Sequence, residues 1–123
     1  MLFRFYRQLS TCVSPSPSQI KVMAAKELVE AAVSENKITI FSKTWCPYCK
    51  RAKALFASKY PGVATKIYEL DELDDGAEIQ NYLAEKTGQR SVPNIFVNQK
   101  HVGGCDDIVS LESKGQLAPL VNV

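Results

Sequence analysis

Apolar positions along the chain change period several times, and each change marks an element. From Ala24 to Ser34, Leu28, Val29, Ala32 and Val33 fall on one helical face while Glu27 and Glu30 stay off it, which predicts a first helix. Ile38-Thr39-Ile40-Phe41, within Lys37 to Ser42, is a short β-branched and aromatic run and predicts a strand. Beyond it Cys49, Ala52, Leu55 and Phe56 recur at helical spacing until Tyr60-Pro61-Gly62 ends the pattern. Thr65 to Leu70 reads as a second strand with Ile67 and Leu70 as core candidates. Asp75 and Glu78 have capping-box spacing ahead of a helix with the stripe Ile79, Tyr82 and Leu83, which Gly88 terminates. Strand, helix, strand in this order predicts a β-α-β unit with parallel strands. Asn94 to Val97 and His101 to Gly103 read as two further strands; Gln99 suits a tight primed turn poorly, so a longer or distorted loop is expected between them. Asp106 is placed to cap a last helix carrying Ile108 and Leu111, which stops near Gly115 and is followed by an apolar tail with Leu117 and Leu120.

Residues 1–22 differ from this body, which occupies 23–123. Leu2, Phe5, Tyr6 and Leu9 recur at i, i+3, i+4 and i+7 with Arg4, Arg7 and Gln8 between them, and no acid precedes Glu27. An amphipathic, arginine-bearing, acid-free start followed by hydroxyl residues has the character of a mitochondrial transit peptide; a disordered tail is the alternative. Ser14-Pro15-Ser16-Pro17-Ser18 reads as a linker, and Cys12 near it is assigned no catalytic part. Met23 stands where the body begins, so a start there would give a leaderless form. The expected location is therefore mitochondrial, cytoplasmic or both.

A chain of 123 residues with 46% hydrophobic content is sized for one domain with a substantial core. Its formal charge of +2 includes Arg4, Arg7 and Lys21, all ahead of the first acid, so the body is close to neutral. No Lys/Arg cluster with interleaved aromatics and no apolar run near the ~20 residues of a membrane span is present, so neither nucleic-acid binding nor integral membrane insertion is expected. Of the four cysteines, Cys46 and Cys49 form a pair while Cys12 and Cys105 are isolated, which is not the framework of a disulfide-stapled secreted domain.

The pair lies in Thr44-Trp45-Cys46-Pro47-Tyr48-Cys49-Lys50, at the start of the predicted second helix. Proline suits a first helical position because its missing N–H is not needed there and its φ is already helical. Cys46 then falls at the cap, where unpaired N–H groups and the positive end of the helix dipole favour thiolate over thiol. Cys46 is the candidate nucleophile. Cys49, one turn further in on the same face, is the candidate resolving thiol. A zinc site would have to complete its ligands from Cys12, Cys105 and His101, without the usual second pair, and no metal is expected. A purely structural Cys46–Cys49 disulfide would close too short a loop to restrict the unfolded chain much.

With Cys-Pro-Tyr-Cys at a helix start, Ser91-Val92-Pro93, and Gly103-Gly104-Cys105-Asp106-Asp107 in this order, residues 24 to 121 resemble a dithiol glutaredoxin. The resemblance implies a thioredoxin-like α/β fold, a four-stranded mixed sheet flanked by helices. It implies a glutathione-dependent thiol–disulfide oxidoreductase, with glutathione as co-substrate and glutathionylated proteins and protein disulfides as partners, acting as a monomer. Residue by residue, Cys46 and Cys49 match the family's nucleophile and resolving thiol, and Tyr48 the ring flanking the bound tripeptide. Lys43 and Gln80 match the groups holding the glycine carboxylate of glutathione, with Arg90 nearby. Val92 matches the residue whose backbone pairs with the cysteinyl part, Pro93 the family's cis-proline, and Asp106 and Asp107 the γ-glutamyl site. The alternative is carriage of a [2Fe–2S] cluster ligated by Cys46 and glutathione across two chains, but carriers of that kind usually lack a proline between the cysteines.

The charges agree with this assignment on separate grounds. Glutathione is an extended tripeptide with two carboxylates and one ammonium. Lys43 offers a cation for one end, and a helix start at Asp106-Asp107 offers N–H groups and carboxylates for the other. Cys105 can be a small buried side chain beside the ligand or a third redox-active thiol. His101 is expected half-exposed on a strand, without a role.

Overall fold

The computed structural model describes residues 14–122; the amphipathic Leu2–Leu9 pattern and Cys12 lie outside them. The first helix, α1, spans Pro17–Glu35 and so begins ahead of the expected Ala24, inside the stretch read as a linker. A capping box explains the difference: the Gln19 N–H donates to Ser16 Oγ at 3.2 Å, the Ser16 N–H donates to Gln19 Oε1 at 2.8 Å, and Pro17 takes the first helical position. Residues 14–24, which include these opening turns, are all exposed. Burial begins at Ala25 and continues through Val29, Ala32 and Val33, the predicted face.

Four strands follow, β1 (Ile38–Ser42), β2 (Thr65–Glu69), β3 (Asn94–Val97) and β4 (Lys100–Gly103), in the order β2-β1-β3-β4. β1 pairs parallel with β2, in register Ile40↔Ile67, and antiparallel with β3, in register Ile40↔Ile95. The crossover between the parallel strands is α2 (Pro47–Lys59), so the predicted β-α-β unit is present. Side chains of β1 alternate between two cores, as strand geometry requires. On one side Ile38 and Ile40 pack with Phe56 of α2, Ile108 of α4 (Cys105–Ser113) and Leu117 of α5 (Leu117–Val121). On the other, Phe41 packs with Val29 of α1 and with Ile79 and Leu83 of α3 (Gly76–Thr87), stacking on Tyr68 at 5.5 Å between ring centroids.

Several local expectations need correction. Ile67, expected in the core, is 38% exposed, because β2 is an edge strand with no neighbour beyond it. Leu70 is buried but lies in a 3₁₀ turn, Leu70–Glu72, after the strand has ended. Asp75 makes no capping hydrogen bond to α3: at φ −102° and ψ 24° it is outside the extended region from which a cap side chain reaches back. The β3–β4 connection is a tight turn after all, with Asn98 at φ 49° and Gln99 at φ 71°. Tertiary contacts hold it: the Asn98 N–H donates to Lys37 O at 2.7 Å and its side-chain Nδ2 to Val121 O at 3.2 Å. Finally, α4 is capped at Gly104, whose N–H donates to Asp107 Oδ2 at 2.8 Å, so Asp106 sits within the first turn instead of before it.

Candidate active site

β1 delivers the chain to a turn in which the Cys46 N–H donates to Lys43 O at 3.2 Å. The turn is also held from the side, because the Thr44 N–H donates to Asp71 Oδ1 at 3.0 Å and the Thr44 hydroxyl donates to the other carboxylate oxygen. Those bonds, the hydroxyl first, hold the Asp71 carboxyl below its ordinary range. Cys46 is the cap of α2 with Pro47 at the first helical position, as the sequence predicts, and its Sγ accepts the Cys49 N–H at 3.4 Å. One of the orphan donors of the helix start is thereby aimed at sulfur, the arrangement that stabilises an anion there.

The two thiols are inequivalent. Cys49 is fully buried, and burial foremost, followed by its hydrogen bond with Cys46, pushes its thiol up to about 11. Cys46 is 5% exposed while Trp45 and Tyr48 near it in the chain are open to solvent, and its Sγ lies 3.9 Å from Val92 O. Cys46, Cys49 and Cys105 are all free thiols.

A cavity of about 350 Å³ is lined by Tyr48, Val92, Pro93, Asp106 and Asp107 among the residues the sequence singles out; Cys46 is not in the lining and meets it through its contact with Val92. The Val92–Pro93 peptide is cis. The start of α4 also lines the cavity, which brings the first-turn N–H groups and the Asp106 carboxylate to it. Gly103 reaches this helix start at φ 117°, and a Cβ on it would stand 2.2 Å from Asp107 Oδ2, so glycine is required.

Lys43 and Gln80 are not part of the lining. The Lys43 ammonium lies 5.9 Å from the centroid of the Trp45 ring, and Gln80 Nε2 donates to Arg90 O at 2.7 Å. The Arg90 guanidinium donates to Asn81 Oδ1 at 2.7 Å. Gln80 and Asn81 thus tie α3 to the segment that leads into Val92. The lining also includes Gln89, Ser91, Gly104 and Cys105, of which Gln89 alone stands in no motif that the sequence singles out. Burial raises the Cys105 thiol above its ordinary range.

A parallel β-α-β unit with a free dithiol at the start of its crossover helix, facing a cis-proline segment, defines a thioredoxin-like protein of thiol–disulfide chemistry. Comparison with known proteins narrows the class. The glutaredoxin family model matches residues 38–102. A glutaredoxin of Ricinus communis is 52% identical over 89 residues, covering 72% of this chain and 85% of its own length. Glutaredoxin-C6 of Oryza sativa is 48% identical over 97 residues, 79% of this chain and 81% of its own. Among solved structures, a buckwheat glutaredoxin–glutathione complex superposes with a TM-score of 0.79 at 38% identity, covering 88% of this chain and 94% of that one. The chain belongs to the glutaredoxin family.

Proposed function

We propose that this chain is a glutathione-dependent thiol–disulfide oxidoreductase that reduces glutathionylated proteins and protein disulfides. The observation that carries the reading is the placing of Cys46 Sγ 3.9 Å from the carbonyl of Val92, a residue that lines a cavity together with the start of α4. In the first step the Cys46 thiolate attacks the glutathionyl sulfur of a mixed disulfide; that S–S bond breaks and the substrate leaves as a thiolate, which takes up a proton. A second glutathione, as thiolate, then attacks the Cys46–glutathione disulfide, releasing oxidised glutathione and restoring Cys46. With a protein disulfide, the Cys46 thiolate attacks one sulfur and the other leaves and takes up a proton; Cys49 then gives up its proton and attacks Cys46, releasing the second substrate thiol, and two glutathiones reduce the resulting Cys46–Cys49 bond and leave as oxidised glutathione. A raised Cys49 thiol suits this role, since it stays protonated and does not compete for the first attack.

The tripeptide is proposed to lie with its cysteinyl part along Val92, its γ-glutamyl end at Asp106 and Asp107, and its ring contact at Tyr48. Lys43 and Gln80, which do not line the cavity, are proposed to take the glycine end. A cluster-carrying role is not favoured, because Pro47 stands between the two cysteines. The protein acts as a monomer in the mitochondrion, the cytoplasm or both; fractionation with antibody detection of long and short forms tests the location, and a single uncleaved species would count against a leader. The activity itself is tested by coupling turnover of a glutathionylated peptide to glutathione oxidation. Turnover that saturates in the peptide is expected; no turnover above the uncatalysed rate would overturn the reading.

A further inference from the structure

One side chain that the mechanism above does not use governs the cavity wall formed by Val92. Gln89 Nε2 donates to Ser91 O at 3.0 Å and to Pro93 O at 2.9 Å. A primary amide has two N–H donors, and these two bonds employ both. The carbonyls so held belong to the residues on either side of Val92, whereas the Val92 carbonyl faces Cys46 Sγ at 3.9 Å. One side chain thus holds the carbonyls on either side of Val92, while the Val92 carbonyl between them meets the Cys46 sulfur.

Gln89 is itself anchored. Its N–H donates to Thr87 Oγ1 at 3.1 Å, the Thr87 hydroxyl donates to Leu83 O at 2.7 Å within α3, and the buried Asn94 Nδ2 donates to Gln89 O at 3.4 Å. The clamp thus runs from the end of α3 to the start of β3 and fixes the short segment between them.

We infer that Gln89 is a positioning residue for the glutathionyl group: by holding the carbonyls of Ser91 and Pro93 it turns the Val92 backbone toward Cys46 and the cavity, where an extended peptide pairs with it. This role rests on the function proposed above. Gln89 acts on the peptide part of the ligand and on no sulfur, so its loss weakens ligand binding and leaves the chemical step intact.

Two variants test this. Gln89→Met keeps the side-chain length and removes both donors; Gln89→Glu keeps the shape and sets carboxylate oxygens against two carbonyl oxygens. Steady-state kinetics on a glutathionylated peptide should show KM raised about five- to tenfold in Gln89→Met, the scale of one or two ordinary hydrogen bonds, and further in Gln89→Glu, with kcat within about twofold. In amide NMR titrations with reduced glutathione, the Val92 signal should move in the wild type and saturate only at higher concentration in each variant. Wild-type KM in both folded variants, or a loss of kcat at unchanged KM, overturns the role. A wild-type protein without glutathione-linked turnover would instead overturn the function on which the role rests.

Discussion

The N–H of Cys49 donates to the sulfur of Cys46 at 3.4 Å, so the backbone of the proposed resolving residue is aimed at the sulfur of the proposed nucleophile. The same turn of helix buries the Cys49 side chain and keeps its thiol protonated. One local geometry thereby produces two cysteines of opposite character, and the expected behaviour of the protein follows from that difference and from the frame around it.

Charge at the proposed glycine and γ-glutamyl ends of the bound tripeptide should act on ligand binding and leave sulfur chemistry alone. Lys43→Glu and Asp106→Asn are each expected to raise KM for a glutathionylated peptide about five- to tenfold, the range for a single charge-assisted contact that is partly solvated. Steady-state kinetics check this; wild-type KM in both variants would remove the proposed orientation of the tripeptide.

Two glycines should respond oppositely to alanine. A Cβ on Gly76 would stand 1.9 Å from Leu70 O, so Gly76→Ala must displace backbone and should cost about 3 kcal/mol. Gly62 has nothing within 4 Å of that position, and Gly62→Ala should be within about 0.5 kcal/mol of wild type or more stable. Urea denaturation measures both.

Much of this frame was legible in the sequence because its signals are local. Pro47 at a helix start, the apolar run Ile38 to Phe41 and the terminator Gly88 each act within a few residues, and α2, β1 and the end of α3 follow from them. Features decided by distant partners were not. Gln99 enters positive φ because Asn98 is bonded to Lys37 and to the end of α5. Ile67 is exposed because the strand order leaves β2 at an edge. Within the site, Cys46, Tyr48, Val92 and the two aspartates stand out by motif, whereas Gln89 has no local signature, since its part depends on the fold of the turn that it clamps.

An acid-sensitive contact joins α1 to α3. The Glu30 carboxylate accepts the Tyr82 hydroxyl and pairs with Lys86 Nζ at 2.9 Å; these partners, Tyr82 first, hold it below its ordinary value of 4.5. A carboxyl lowered by folding stabilises above its unfolded value, and that contribution is lost as pH falls through the folded one. Tyr82→Phe should cost about 1 kcal/mol at neutral pH, and the gap from wild type should narrow as pH falls below 4.5. Denaturation midpoints at pH 7 and pH 3 decide it; an equal gap at both would show that the hydrogen bond does not carry the effect.

Alkaline solution should destabilise the fold. Burial, then the bond with Cys46, lifts the Cys49 thiol from 9.0 to about 11, and burial, then the bond to Glu112, lifts the Tyr60 phenol from 10.0 to about 12. Between those values the unfolded chain has released protons that the folded chain retains, so stability falls as pH rises from about 9. Melting temperature followed from pH 8 to 11 should decline, and Cys49→Ala should flatten the first part of the decline; an unaltered slope would contradict the burial of this thiol.

The central claim is that Cys46 initiates exchange and Cys49 only resolves it, and turnover of a glutathionylated peptide by Cys46→Ser and Cys49→Ser, measured side by side with reduced glutathione, tests it most directly. An alcohol at position 46 stays protonated near neutral pH, so Cys46→Ser should fall to the uncatalysed rate. Cys49→Ser retains the nucleophile and the cavity; it should keep wild-type turnover or exceed it, because no second thiol diverts the mixed disulfide. Turnover retained by Cys46→Ser together with an inactive Cys49→Ser would contradict the assignment.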